Sequence, residues 1–390
     1  MLTFDDTNIA FGSKSNTDLH RAYYLFKTIS SPGLVKICKE AIRIARVLHL
    51  PVAWAVKPTI YKQFVGGETL SYCAPLVRTL EKFNVKAILD YSVEGINTEE
   101  YILYTIDEIL KTIDLAAMDP NIPFAVFKPT ALCSEAVLEK ASTDSLETVA
   151  DKLEARNFHD RMELLCQHAF DKDVRIMIDA EDSWYQPYID DVVSEMMEKF
   201  NKKTAIVYNT LQMYHMDRLD YLNVLYEKAL HENFFLGIKF VRGAYMEKER
   251  VRASQKGYPS PILPDKSATD QSFNEGLSFA VSHIDRIHVF NGTHNEDSTR
   301  LLISLMEEHE IDKDDERCFF SQLYGMSDNI SFILAKQGYN VAKYIPYGPV
   351  GSVLPYLIRR AEENTAIAGQ SGRELSLIVQ ELKRRKILKV

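Results

Sequence analysis

Two arginines stand side by side in "LPYLIRRAEENT", residues 354–365, after an apolar turn and before Glu362 and Glu363. Neighbours on a helix point about 100° apart, so Arg359 and Arg360 do not share a face. Either one is solvated while the other runs its stem over the core, or both reach a single anion from two directions. Further polar residues close short apolar runs: Asp90, Lys128, Asp179, Asn209, Lys239, Asn291 and Gln322. Just beyond such ends come Glu94, Glu181, Gln212, Arg242, Thr293, His294 and Tyr344.

Three chemistries fit this set. Asp179, Glu181, His288 and His294 would be the ligands of a metal-dependent hydrolase. HxH and HExxH spacings are absent, however, and His288, three residues before Asn291 in a strand, should face the other side from it. Lys128 or Lys239 would serve a Schiff-base aldolase if desolvated, unless each is paired with a carboxylate such as Asp179. The third chemistry is that of a cofactor enzyme, whose cationic mouth holds an anionic cofactor and an anionic substrate together. After Arg242, Gly243 and Ala244 either let backbone or a flat ligand approach closely or simply bend the chain. The charged, proline-containing stretch 246–266 is longer than a usual βα loop and reads as a lid.

The elements that must carry these residues alternate. β-rich apolar runs occur at 86–91, 124–128, 174–179, 204–209, 235–241, 286–291, 318–323 and 340–345. Helical-period segments such as 99–113 and 190–200 lie between them. Near-continuous apolar strands alternating with helices predict a parallel sheet covered by helices, and eight of them predict an α/β (β/α)₈ TIM-like barrel. An open doubly wound sheet is the competitor, but GxGxxG after a strand, GxxxxGK[ST] and GxSxG are all absent. The active groups of such a barrel sit at the C-terminal ends of its strands. Residues 18–50 read as two helices broken at Ser31-Pro32-Gly33.

A chain of 390 residues with 46% hydrophobic and 26% charged residues is an ordinary globular composition. A net charge of -9 excludes non-specific nucleic-acid binding. Five scattered cysteines without a CxxC pair predict reduced thiols and no zinc site. The start "MLTFDDTNIAFGSK" carries no export or organelle signal, and no run of about 18 apolar residues exists, so a cytoplasmic protein is expected. The segment "SLIVQELKRRKILKV", 376–390, is apolar on one face and basic on the other. It is either a packed terminal helix or a peripheral contact with an anionic membrane.

"FVRGAYMEKER", "KYIPYGPV" and "LPYLIRRAEENT" resemble the signature segments of the proline dehydrogenase family, in its order. "KPTALC", "IDAEDSW", "YNTLQMY", "NGTHN" and "SQLYGM" resemble further ones, so the likeness covers roughly residues 85–365. The segments after Tyr245 look most like the mitochondrial, single-function type, whereas the missing signal points to a bacterial chain. The resemblance implies a distorted barrel over 85–365, an N-terminal helical arm over 1–84 and a C-terminal helix over 366–390. It implies FAD held without a Rossmann domain, oxidation of L-proline to Δ1-pyrroline-5-carboxylate by hydride transfer to flavin N5, and electrons passed to a membrane quinone.

Residue by residue, it places Arg359 and Arg360 on the proline carboxylate, with Glu363 orienting them. It places Lys128 at the substrate with Asp179 as its carboxylate partner, and Tyr344 and Tyr356 as walls against the ring. Tyr344 fills the space that a hydroxyl would need. Glu94 stands where the family has a carboxylate that closes the site over the first arginine. Ala180, Gln212, Lys239, Arg242, Gly243, Ala244, Thr293 and His294 fall on the family's flavin segments. Lys239 stands where many bacterial members have arginine, which keeps the charge but loses the planar fork.

Overall fold

Apolar runs become inner strands when both of their faces are covered. All six residues of Val207–Gln212 and all seven of Val341–Tyr347 are buried. The structure is a computed structural model, and it describes residues 2–31, 33–37, 40, 53–93, 98–366 and 370–387, with backbone alone for 362–366 and 370–371. Its strands are β1 (Lys86–Tyr91), β2 (Phe124–Phe127), β3 (Arg175–Ile178), β4 (Val207–Gln212), β5 (Leu236–Val241), β6 (Ile287–Gly292), β7 (Cys318–Leu323) and β8 (Val341–Tyr347). They join in chain order into a closed barrel. The expected (β/α)₈ architecture is therefore present, and the open sheet is not.

Most strands lie within two residues of the expected bounds, and the largest departure is at β4. The run at 204–209 becomes β4 at Val207–Gln212, because the Asn201 side chain captures the approach to it. Its Oδ1 accepts from the backbone of Ile206 at 2.9 Å and of Val207 at 2.8 Å. Ala205 and Ile206 are apolar and buried, but they belong to this turn. The shift moves Asn209 into the strand and makes Gln212 its end.

The chain divides into two compact units, residues 95–321 and residues 1–94 with 322–390. In the first, helices return the chain between parallel strands. Helix Glu99–Met118 begins at Thr98, whose side chain accepts from the Tyr101 backbone, and Glu99 and Glu100 suit the positive end of its dipole. It buries Ile102, Ile106, Ile109 and Ile113 at helical spacing. Helix Gln186–Phe200 starts four residues earlier than the apolar period suggested, with Pro187 in its first turn.

In the second unit, β1 pairs parallel to β8, with Ile88 opposite Tyr344 and Asp90 opposite Pro346. Helix Asn16–Ile29 opens with a capping box between Ser15 and Asp18. Helix Gln370–Arg384 lies against it and buries Leu377, Ile378 and Leu382 in a core shared with Leu19, Phe26, Phe64 and Leu357. The apolar face read above as a packed helix or a membrane contact is thus covered by protein. The rest of the expected second N-terminal helix falls mostly at 38–39 and 41–50, outside the described residues.

This unit also buries charge. Asp328 is 5% exposed. Its Oδ1 receives Lys343 Nζ at 2.8 Å, and its Oδ2 lies 3.3 Å from Lys14 Nζ. Lys343 also donates to the Met326 carbonyl at 2.6 Å. Burial works against the charge on Asp328, but Lys14 and Lys343 prevail and hold its carboxyl below the usual range. Among the described residues, no helix is long and apolar enough to cross a membrane.

Candidate active site

The floor comes first. Phe124 of β2 meets Tyr208 of β4 at 5.3 Å between ring centroids, Phe290 of β6 at 5.2 Å and Phe319 of β7 at 5.0 Å. Strands β2 and β6 are not neighbours, so these rings fill the barrel interior. Arg175 of β3 lies over Phe124 and Phe319, each 5.6 Å from the ring centre. Gly237 of β5 makes room for the floor, since a Cβ there would lie 2.5 Å from the Tyr208 ring.

Side chains alternate along a strand, so residues an even number of positions past the floor also face inward. From Phe124 this gives Lys128, where the backbone is still extended (φ -99°, ψ 133°). By the same rule Arg175 leads to Asp179, Tyr208 to Thr210 and Gln212, and Gly237 to Lys239. The barrel thus changes from aromatic to polar toward the C-terminal ends of β2 to β5.

Lys239 Nζ donates to Asp179 Oδ1 at 2.6 Å, with both side chains largely sheltered. Asp179, the carboxylate expected from the resemblance beside Lys128, is bound by Lys239 as well. A lysine bound this way does not present a free lone pair to a carbonyl carbon, which leaves the Schiff-base chemistry of Lys239 without support. Thr210, opposite Lys239 in the strand register, is 3% exposed, and its Oγ1 has no hydrogen-bond partner among the described residues.

Glu181, two residues beyond Asp179, was named among the strand-end residues, but its tie to Thr130 was not read from the sequence. Its Oε1 accepts from Thr130 twice, from the backbone at 3.0 Å and from the hydroxyl at 2.5 Å. Its carbonyl accepts Gln212 Nε2 at 2.5 Å, and its own N–H donates to Gln186 Oε1 at 2.8 Å. Burial pushes the Glu181 carboxyl up to about 7, against the Thr130 hydrogen bonds and the charge of Lys128. Glu181 and Thr130 are 51 residues apart, and no local pattern announces such a pair.

Around the end of β5, Arg242 donates to Asp270 at 2.7 Å, to the Thr293 hydroxyl at 2.5 Å and to Ser298 at 2.9 Å, and it covers Phe273 at 4.4 Å. Burial draws the Arg242 pKa down, with Asp270 opposing. Gly243 has φ +128°, and a Cβ would lie 2.4 Å from the Tyr214 ring, so close approach of backbone to that ring accounts for the glycine. Ala244 is exposed, whereas Ala180 and His294 are half-buried.

The stretch 246–266, read as a lid, opens with helix Met246–Lys256, ended by left-handed Gly257. It is clasped to the loop after β3. Fully buried Glu249 accepts from Ser183 N at 2.7 Å and Ser183 Oγ at 2.6 Å, and Arg252 stacks 4.2 Å from the Trp184 ring centre. His288 lies at floor level beside Tyr208, whose hydroxyl is 3.3 Å from its Nδ1. Burial, with Arg175 nearby, lowers its pKa to about 4. The metal reading required it at the strand ends, and the structure places it in the floor instead.

In the other unit, Tyr344 of β8 is 6% exposed. Helix Leu354–Ala366 carries Pro355 in its first turn and buries Leu354, Tyr356 and Leu357. Tyr356 and Arg360 are one turn apart, and the Arg360 guanidinium lies 5.1 Å from the Tyr356 ring centre. Arg360 is 8% exposed and Arg359 half-buried. Glu94 and the Glu363 side chain lie outside the described residues.

A closed parallel barrel with an ammonium–carboxylate pair at its strand ends defines a (β/α)₈ enzyme architecture. A family model described as proline dehydrogenase matches residues 73–373. Mitochondrial proline dehydrogenase 1 of Dictyostelium discoideum is 32% identical over 426 residues, which cover 97% of this chain and 74% of that one. Hydroxyproline dehydrogenase of Xenopus laevis is 32% identical over 421 residues, 98% of this chain and 90% of that one. The chain belongs to the proline dehydrogenase family. Its fold is also that of a solved structure, proline utilization A of Bdellovibrio bacteriovorus inactivated by N-propargylglycine. The match has a TM-score of 0.74 at 21% identity and covers 95% of this chain but only 40% of that one.

Proposed function

We propose that this protein oxidises L-proline to Δ1-pyrroline-5-carboxylate with FAD as cofactor, the first step of proline breakdown, and delivers the electrons to a membrane quinone. Membership of the family over residues 73–373 carries the reading. The donor set fits a flavin dinucleotide. Thr210 offers a buried hydroxyl beside Lys239, Gln212 an amide at the end of β4, and Arg242 and Thr293 polar groups at the ends of β5 and β6. Ala180, Gly243, Ala244 and His294 complete the cofactor segments. The flavin, when bound, supplies the hydride acceptor.

The remaining roles belong to this chain's side chains. Arg359 and Arg360 hold the substrate carboxylate, while Tyr356 supports Arg360 and forms a wall. By the family resemblance, Glu94 is the carboxylate that pairs with the first arginine, Arg359. Lys128 stands at the substrate. Nearby cations disfavour a protonated proline amine, which must be neutral before hydride leaves, so no obligatory base is assigned. Lys239 keeps positive charge beside the cofactor, and Asp179 orients it.

The spectrum tests the reading. Purified protein loaded with FAD should show flavin bands that bleach when L-proline is added without oxygen. Flavin that stays oxidised would leave the cofactor and remove the substrate. A protein that neither takes up FAD nor responds to proline would overturn both.

The relative named hydroxyproline dehydrogenase raises a second substrate. Tyr344, buried on β8, favours proline by filling the space of a ring hydroxyl. Tyr344→Ser should raise the kcat/KM ratio of hydroxyproline to proline by about tenfold, the scale of one pocket group. An unchanged ratio would remove Tyr344 from the wall.

A further inference from the structure

We propose that Glu181 is a positioning residue that sets the Lys128 turn and the Gln212 amide relative to Asp179. The inference rests on the site reading above and deepens it. One residue touches the ends of three strands. The carboxylate holds Thr130, two positions after Lys128, by both its N–H and its hydroxyl. Thr130 belongs to the single 3₁₀ turn Pro129–Ala131, so two bonds to it fix the whole turn that leaves β2 at Lys128. The carbonyl takes Gln212 Nε2, which decides the orientation of that amide: its nitrogen is engaged, and its oxygen is the end left to accept from a ligand. The backbone N–H is anchored outward to Gln186, which donates to buried Asp190 at 2.9 Å, itself bound to Arg218 at 2.7 Å. The tie is therefore mounted on a buried polar network, and Asp179 follows from it two residues upstream.

The geometry makes the tie charge-dependent. The carboxylate is 5% exposed and accepts two hydrogen bonds on one oxygen, and such bonds are about twice as strong to an ionised acceptor as to a neutral one. Burial raises its pKa to about 7, Lys128 favours its charge and Asp182 opposes it; Lys248 and the Tyr185 hydroxyl also feel its field. Above that pH the Lys128 turn is held by a charged acceptor, and below it by a neutral one. Turnover of proline should rise with pH through this range, by a route separate from the substrate amine.

The test compares wild type with Glu181→Gln, Glu181→Ala and Thr130→Val, all loaded with FAD, for kcat and KM of L-proline from pH 6 to 9. Amide exchange of residues 128–133 is followed in the flavin-free proteins. Glu181→Gln keeps an acceptor but no titrating group, so the inflection near neutrality should vanish. Glu181→Ala and Thr130→Val should each lower kcat/KM by about tenfold to a hundredfold, the cost of an ångström-scale misplacement. The double variant should be no worse than either single one. The Thr130 amide should exchange faster in Glu181→Ala. Wild-type kinetics and exchange in Glu181→Ala, or an unchanged pH profile in Glu181→Gln, would overturn the proposal. If wild type itself fails to oxidise proline, the functional reading fails instead, and the exchange data still decide whether Glu181 holds the turn.

Discussion

Arg360→Met should raise the KM for L-proline by about a hundredfold while flavin stays bound. A charge-assisted hydrogen bond contributes about 1.5–3 kcal/mol net, and about 2.7 kcal/mol is a hundredfold in affinity. Arg360 is the more sheltered of the pair and is steadied over the Tyr356 ring, so its bonds to a carboxylate suffer less from solvent than those of half-buried Arg359. Arg359→Met should therefore cost less, about tenfold. Steady-state kinetics and the flavin absorbance of each purified variant separate the cases. Loss of flavin would move these arginines to the cofactor, and an unchanged KM would send the carboxylate elsewhere.

Asp328→Ala should cost about 3–5 kcal/mol of stability, the penalty for leaving buried charge without its partner. Two ammonium groups, Lys14 and Lys343, lose the carboxylate that neutralises them, and Lys343 is fully buried. The sign with pH follows from the lowered pKa of Asp328. Its stabilising contribution is present above the unfolded-state value of about 3.9 and fades as pH falls through the lower folded-state value. The gap between variant and wild type, measured by urea unfolding, should be full at pH 7 and narrow below about pH 4. A loss under about 1 kcal/mol at pH 7 would contradict the burial of this triad.

How legible the fold was depends on where burial alone decides. The runs 86–91 and 318–323 are strands at those bounds because apolar residues and turn signals coincide there. At β4 they do not. Ala205 and Ile206 look like strand, but a single asparagine side chain takes their neighbouring amides, and hydrophobic period carries no information about that. The polar strand ends were legible because strand period and the barrel rule name them together. Their pairings were not. Lys128 and Lys239 end similar runs, and only the interior geometry shows that Lys239 reaches Asp179. Gly243 was read as room for a ligand or a bend; its neighbour is the ring of Tyr214, 29 positions earlier in the sequence. Asp270 and Ser298, which hold Arg242, sit inside helices whose patterns advertise only their buried faces.

The two ends of the chain share one core, and that orders events during synthesis. Arg385 donates to the carbonyls of Phe11 and Lys14, and the apolar stripe of helix Asn16–Ile29 is covered by Leu377, Ile378 and Leu382. A ribosome adding about 5–20 residues per second exposes that stripe for tens of seconds before its cover is made. The nascent protein therefore travels with a greasy, unfinished N-terminal segment while its middle portion already holds every strand from β2 to β6. Exposure of that stripe during translation, and poor solubility of chains cut before Leu377, are the expected results of a fold that closes this way.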